Sequence, residues 1–328
     1  MIMPNIRIPN ILTDLAHVGA GGLISTGNPL MQQELDLCRK WGYRIAQEHN
    51  RVYLRFDEDQ VVPYWIQRET PNLAWEGLRV NGFLTIDSTN REALDQAAKG
   101  APGGTLVCAE EQTAGRGREG RTWYSPAGSG LYFSLVVRPK QPGKFWPLLT
   151  HVASVGLVRS LQDLANGRTI PQVPGIDIKW PNDVLLGGRK CAGILLQTQG
   201  SGADQAVVVG VGLNIRPQSV PPGMEKEATS LDDAVGAAMH RRRILVNFLK
   251  HFQALYDSFE RGNHAALIET YKQNSTMHCG TQIWIGEGDR RRSAMTCGID
   301  EMGALVVQTE EGTQETIIAG SVRLQNPR

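Results

Sequence analysis

Three glycines and three arginines crowd the stretch Gly115-Arg116-Gly117-Arg118-Glu119-Gly120-Arg121. Glycine lets backbone N–H groups approach an anion, and arginine presents forked charged donors that match phosphate, so this is an anion-binding loop. Gly115, Gly117 and Gly120 also satisfy G-x-G-x-x-G, yet no helical pattern follows them, which argues against a dinucleotide fold. A nucleic-acid backbone would satisfy the same donors as a nucleotide. A second group, Lys179-Trp180-Pro181-Asn182-Asp183, ends a strand pattern. Pro181 stops the strand, Asn182 and Asp183 fall on the turn, and Lys179 can project one charge into a cleft beside a carboxylate suited to a metal or a hydrogen bond. Asp87-Ser88-Thr89-Asn90 puts hydroxyls and amides at a helix amino terminus, where they either cap the helix or bind a polar head group such as a urea carbonyl. Gly210-Val211-Gly212-Leu213-Asn214-Ile215 closes an apolar strand with two glycines, the mark of a bulge or of a ligand lying against the backbone.

In this order, and together with Glu111-Gln112-Thr113-Ala114, Ala192-Gly193-Ile194-Leu195 and Ala228-Thr229-Ser230-Leu231, these motifs resemble those of the biotin protein ligases (biotin–[acetyl-CoA-carboxylase] ligases) over residues 83–325. The resemblance implies an α+β fold: a central mixed β-sheet flanked by helices, of the class II synthetase-like kind, with a small SH3-like β-barrel at the carboxyl end. It implies that biotin and Mg-ATP form biotinyl-5′-AMP and pyrophosphate, and that a lysine of a biotin carboxyl carrier protein domain then takes the biotin. It implies residue roles as well. Ser88, Thr89 and Asn90 hold the ureido ring, with Gln112 nearby. Arg116, Gly117 and Arg118 close over biotin, and Lys179 bridges its carboxylate and the α-phosphate, so that Lys179 and Arg118 are the catalytic pair. Gly115, Arg118, Arg121, Trp123, Asn182 and Asn214 face ATP or the adenylate, Trp123 by stacking on adenine, and Asp183 is the candidate Mg ligand. Adenylation needs positive charge gathered at the α-phosphate, where each preorganised donor contributes on the order of 10²–10³ in rate. Lipoate ligases and octanoyltransferases share the fold; the arginine loop and Lys-Trp-Pro-Asn-Asp favour biotin.

The elements that must position these groups divide the chain into 1–70, a winged-helix-like segment; 71–275, the biotin- and ATP-binding domain; and 276–328, the barrel. In the first, Ile11–Val18 and Pro29–Trp41 have helical spacing, and Arg44–Gln47 and Arg51–Leu54 alternate as strands across His49-Asn50. In the second, a helix over Arg91–Lys99 follows the Asp87–Asn90 cap. Strands are predicted at Thr105–Glu110, Leu131–Arg138, Ile176–Trp180, Gly193–Thr198 and Ala206–Ile215, and helices at His151–Asn166 and Arg243–Glu260. The aromatics of the last helix, at i, i+3, i+4 spacing, are core. In the third, Gln282–Gly286, Ser293–Ile299, Ala304–Thr309 and Glu315–Ala319 alternate between tight turns, as in a small antiparallel barrel.

Composition bounds the rest. Over 328 residues, 34 Lys+Arg against 33 Asp+Glu leave a net charge of +1, which argues against a whole-molecule nucleic-acid or membrane-surface binder. No apolar run approaches the roughly 18 residues of a membrane span. Five scattered cysteines without C-x-x-C spacing speak against a disulfide framework and for a reducing compartment, the cytoplasm. Some members of the resembled family are biotin-operon repressors that use biotinyl-AMP as corepressor, through an amino-terminal winged helix-turn-helix. Here residues 1–70 carry seven basic and eight acidic residues and lack the Ser-Arg-containing start of a recognition helix, so DNA binding is not favoured. None of the chemical motifs lies in that segment. The chain is expected to act as a monomer or homodimer.

Overall fold

Short apolar elements at the amino terminus close on one another before the main sheet begins. In the computed structural model the described residues are 23–24, 28–40, 43, 45–54, 59, 61–71, 73, 78–166, 175–286, 291–318, 320 and 322–325. The helical pattern at Ile11–Val18 lies outside them. Strand β1 (Leu23–Ile24), helix α1 (Pro29–Lys40) and the hairpin β2 (Ile45–Glu48)–β3 (Arg51–Leu54) make up the first unit, its three strands in the order β1-β3-β2. Leu35, Cys38, Tyr43 and Val52 bury themselves against Val62, Tyr64 and Trp65. The last two belong to α2 (Pro63–Glu69), a short helix started by Pro63 at a position where the missing N–H is harmless. Its Ile66, with Val61, packs into the main core instead, so α2 faces both units.

The middle of the chain contains β4 (Arg79–Ile86), α3 (Thr89–Ala98), β5 (Thr105–Gln112), β6 (Gly130–Val137), α4 (Leu148–Asn166), β7 (Ile176–Lys179), β8 (Asp183–Leu186), β9 (Arg189–Gln199), β10 (Ala206–Asn214), α5 (Leu231–Val235), α6 (Arg241–Glu260) and α7 (His264–Lys272). Its seven strands run β4-β5-β6-β10-β9-β8-β7, with β4 and β5 parallel and every other neighbour antiparallel. Side-chain alternation divides the sheet. Leu106, Cys108, Leu135, Val137, Val207 and Val209 share a core with α4 and α6. Val107, Ala109, Val136 and Val208 point the other way and meet Ala93 and Ala97, the small residues that let α3 lie close to the sheet. On α6, Phe248, Phe252 and Phe259 are buried as their spacing predicts, with Phe133 edge-on to Phe248 at 5.0 Å.

Two boundaries differ from the sequence reading in a way that matters for chemistry. Asp183 is not only a turn residue: it opens β8 and pairs in register with Lys179 across a hairpin. The strand read at Gly193–Thr198 begins earlier, at Arg189, because its first residues pair with β8.

At the carboxyl end β11 (Gln282–Ile285), β12 (Arg292–Ile299), β13 (Leu305–Thr309), β14 (Gln314–Ile317) and β15 (Val322–Leu324) form an antiparallel sheet in the order β14-β13-β12-β11-β15. This domain docks on the Lys179 hairpin. The indole Nε1 of buried Trp180 donates to the Gly303 carbonyl at 3.0 Å. Gly303 has φ +87°, and a Cβ there would lie 2.6 Å from Cε1 of His151. His151 is fully enclosed against Tyr271, with ring centroids 4.0 Å apart, and burial pushes its pKa down to about 4. The five cysteines are all free.

Candidate active site

One cavity of about 750 Å³ opens on the α3 side of the sheet, and thirteen of the fourteen residues singled out from the sequence line it. They are Ser88, Thr89, Asn90, Gln112, Arg116, Gly117, Arg118, Arg121, Trp123, Lys179, Asn182, Asp183 and Asn214. The exception is Gly115. A Cβ at 115 would fall 2.4 Å from the Trp123 carbonyl oxygen and 2.8 Å from Ser125 Oγ, so this glycine lets the loop's two arms close on each other.

The polar end is built where α3 begins. Ser88 holds the N-cap position, but its side chain makes no capping hydrogen bond. Gln112, from the end of β5, satisfies the helix terminus in its place. Its Oε1 accepts from the Thr89 backbone N–H at 2.9 Å and stands 3.1 Å from the Thr89 hydroxyl. Its Nε2 donates to Ser125 Oγ at 2.9 Å, which ties the helix terminus to the arginine loop. Asn90 points into the sheet. Its Nδ2 donates to Gln197 Oε1 at 3.0 Å and to the Leu195 carbonyl at 3.3 Å, and its Oδ1 is 2.6 Å from the Ser134 hydroxyl. Ser88, Thr89 and Asn90 are all buried, so a ligand here meets a fixed hydrogen-bonding surface.

Strand register explains the two glycines of β10. Gly210 lies beside Ser134, and Gly212 between Tyr132 and Gly193, in ladders without a bulge at these positions. A Cβ at 210 would come within 1.8 Å of Asn90 Oδ1; one at 212 would come within 2.4 Å of Trp123 Cε2. A Cβ at Gly193 would sit 3.1 Å from the same indole. The space left by these glycines is therefore filled by Asn90 and by the Trp123 ring, which lies half-buried on a backbone platform. Lys190 Nζ stands 5.4 Å from its centroid.

The remaining wall is cationic. Arg116, Arg118, Arg121, Lys179, Lys190, Lys226 and Arg323 line the cavity against only two carboxylates, Asp183 and Glu227. Burial lowers the pKa of Lys179. Asp183 opposes this, while Lys190, Arg323 and Arg121 lower it further. Asp183 is itself paired with Lys190 at 2.7 Å. Arg118 Nη1 donates to Asn182 Oδ1 at 3.2 Å, and Asn182 Nδ2 to the Ile194 carbonyl at 2.8 Å, so Asn182 bridges the loop to β9. Glu119 and Gly120 both have positive φ, 56° and 73°, at the tip of this loop. Surplus positive charge in a half-enclosed site favours a polyanion. Among the described residues no cluster of three or more His, Cys, Asp or Glu could hold a metal.

Sequence reasoning did not single out Ser134, Gln197, Lys190, Lys226 or Arg323. Ser134 and Gln197 reach Asn90 only through strand register, and Arg323 comes from the carboxyl-terminal domain. Lys190 alone had a local signal, a lysine just ahead of the strand read at Gly193–Thr198.

Residues 82–214 match the model of the biotin/lipoate A/B protein ligase family, and residues 278–324 match the biotin protein ligase C-terminal domain. The bifunctional ligase/repressor BirA of Bacillus subtilis is 30% identical over 285 residues, covering 86% of this chain and 82% of its own length. The biotin–[acetyl-CoA-carboxylase] ligase of Paracoccus denitrificans is 35% identical over 232 residues, 70% of this chain and 93% of its own. Among solved structures, the biotin protein ligase of Aquifex aeolicus in complex with biotin and ATP superposes with a TM-score of 0.64 at 25% identity, covering 75% of this chain and 99% of that one.

Proposed function

Because the chain belongs to the biotin protein ligase family, we propose that its cavity takes biotin at the amino terminus of α3 and ATP along the cationic wall, and joins them. The activity is that of an ATP-dependent biotin protein ligase. The observation that carries the division of the site is the meeting, in one cavity, of a buried neutral surface at Ser88, Thr89 and Asn90 with a wall of seven cations. A urea head group needs donors and acceptors without net charge; a triphosphate needs the opposite.

In the first step a biotin carboxylate oxygen forms a bond to the α-phosphorus, and the bond to the bridging oxygen breaks, releasing pyrophosphate. Lys179 and Arg118 neutralise the charge that gathers there. Lys179 is a suitable group because burial and neighbouring cations already disfavour its ammonium form, so an arriving anion relieves that penalty and is bound most strongly where its charge is greatest. Trp123 offers its indole to the adenine, and Asn214 its buried Oδ1, which has no hydrogen-bond partner among the described residues. Gly117, Arg116 and Arg121 cover the intermediate. In the second step the amine of a lysine on a biotin carboxyl carrier domain attacks the mixed-anhydride carbonyl, and AMP leaves. Asp183, paired with Lys190, would meet a Mg ion carried in on ATP's phosphates, where the metal would supply additional charge neutralisation; among the described residues no cluster of three or more His, Cys, Asp or Glu would hold a metal on its own.

The absence of net positive charge in residues 1–70 supports a ligase that does not read DNA. Free cysteines, and the absence among the described residues of a helix able to cross a membrane, suit work in the cytoplasm.

Biotin-dependent ATP–pyrophosphate exchange tests the reading, with lipoate and octanoate as controls. Exchange with biotin and not with the two fatty acids is expected. Exchange driven equally by lipoate would overturn the assignment of the Ser88–Asn90 surface.

A further inference from the structure

We propose that Asp59, which lies outside every chemical motif, is a positioning residue for the adenylate half of the site, acting through Arg216 on the strand end that carries Asn214. The inference rests on the ligase reading above and adds to it a role for the amino-terminal part of the chain.

Asp59 is the shared acceptor of two arginines that arrive from different elements. Arg241, almost wholly buried at the start of α6, places Nε 2.9 Å from Asp59 Oδ2 and donates its backbone N–H to Oδ1 at 3.2 Å. Its Nη1 lies 2.6 Å from Glu110 Oε2. Arg216, two residues past Asn214, places Nη2 2.9 Å from Asp59 Oδ2 and Nη1 3.3 Å from Asp232 Oδ2. Burial alone would raise the Asp59 pKa, but Arg241 and Arg216 outweigh it and hold the carboxyl below its usual value. Asp59 is thus charged and engaged by both arginines.

The backbone around Arg216 is bonded on both sides. Its N–H donates to the Ser129 carbonyl at 2.8 Å, and the Asp232 N–H donates to the Ile215 carbonyl at 2.8 Å. One residue, Ile215, therefore separates the charge network from Asn214, whose Nδ2 reaches the Thr229 carbonyl at 3.3 Å while Oδ1 is left for a ligand. Without the Asp59 carboxylate, the Arg216 guanidinium keeps Asp232 as its carboxylate partner among the described residues, and the strand end can shift toward it. Arg241 keeps its bond to Glu110, and the apolar stripe of α6 is buried independently of Asp59.

The test uses the full chain with Asp59→Asn, which keeps the size and removes the charge. The KM for ATP in biotin-dependent pyrophosphate exchange should rise about tenfold, in the range found for couplings carried through packed networks. Biotin affinity measured calorimetrically without ATP should stay within about twofold, and Asp59→Glu should restore most of the ATP KM. In an Asn214→Ala background, Asp59→Asn should add nothing further. An unchanged ATP KM, an equal loss of biotin affinity, or full additivity with Asn214→Ala would each overturn the proposal. If Asp59→Asn does not fold, Arg216→Lys is read by the same measurements. No biotin-dependent exchange in the unaltered chain would instead refute the ligase reading.

Discussion

Gly210→Ala adds one methyl group to a regular strand, and the structure says where it must go. The new Cβ would lie 1.8 Å from Asn90 Oδ1 and 2.7 Å from its Cγ, so Asn90 has to leave its seat. Leaving forfeits the contacts with Ser134 at 2.6 Å, Gln197 at 3.0 Å and the Leu195 carbonyl at 3.3 Å. At about 1 kcal/mol net for each, roughly 3 kcal/mol of local order is lost, which corresponds to a fall in biotin affinity on the order of a hundredfold. Gly212→Ala is the internal control. It adds the same methyl group two residues along the same face, but meets Trp123 Cε2 at 2.4 Å and not Asn90. It should raise the KM for ATP and leave biotin affinity nearly unchanged. Isothermal titration with biotin and exchange kinetics with ATP separate the two outcomes. If Gly210→Ala bound biotin within about threefold of the unaltered chain, or if both variants weakened both ligands alike, the glycines would be sheet packing only and the division of the cavity would be wrong.

Lys179→Ala should abolish most single-turnover biotinyl-AMP formation with little change in melting temperature. In the unaltered chain the alkaline limb of the adenylation pH profile should fall below the ordinary lysine value of 10.5, since the charged form is lost through a lowered pKa; Lys179→Arg should remove that limb. Arg118→Gly loses its bond to Asn182 along with a charged clamp on the intermediate, and should release free adenylate that labels lysines of bystander proteins, read by streptavidin blot. His151 titrates near 4 in the native chain against 6.5 unfolded, so stability should be lost as the pH falls from 6.5 towards 4, by about 3 kcal/mol, and urea midpoints of His151→Gln should lack that slope. Removing residues 1–54 should spare exchange activity. Removing residues 1–70 takes away Asp59 and Glu69, each one carboxylate partner of buried Arg241 and Arg242 respectively, and should cost several-fold more activity and a clear drop in melting temperature.

The groups proposed to carry chemistry lie in contiguous runs and were legible in the sequence: the arginine loop, the lysine hairpin and the Ser88–Asn90 turn each announce themselves by residue type and spacing, and they meet in one cavity. The partners that hold them were not. Ser134 and Gln197 stand next to Asn90 because β6, β10 and β9 pair in a particular register, and register is a property of the folded sheet. The short helix at Pro63–Glu69 was missed because seven residues give too few turns for a period to show. Asp183 was read as a turn residue because proline marks the stop of one strand and says nothing of how soon the next begins.

The docking of the carboxyl-terminal sheet on Trp180 has a consequence for how the molecule is assembled. The cavity is lined from Ser88 near one end to Arg323 and Leu324 near the other, so its walls are joined by contacts of very long sequence separation. Closing such contacts costs more loop entropy than closing a hairpin within either sheet. The seven-stranded sheet can be complete, and Lys179 already on its hairpin, while the cationic wall still lacks Arg323. The cationic wall is therefore complete only when the carboxyl-terminal sheet, which carries Arg323, is docked on the Lys179 hairpin.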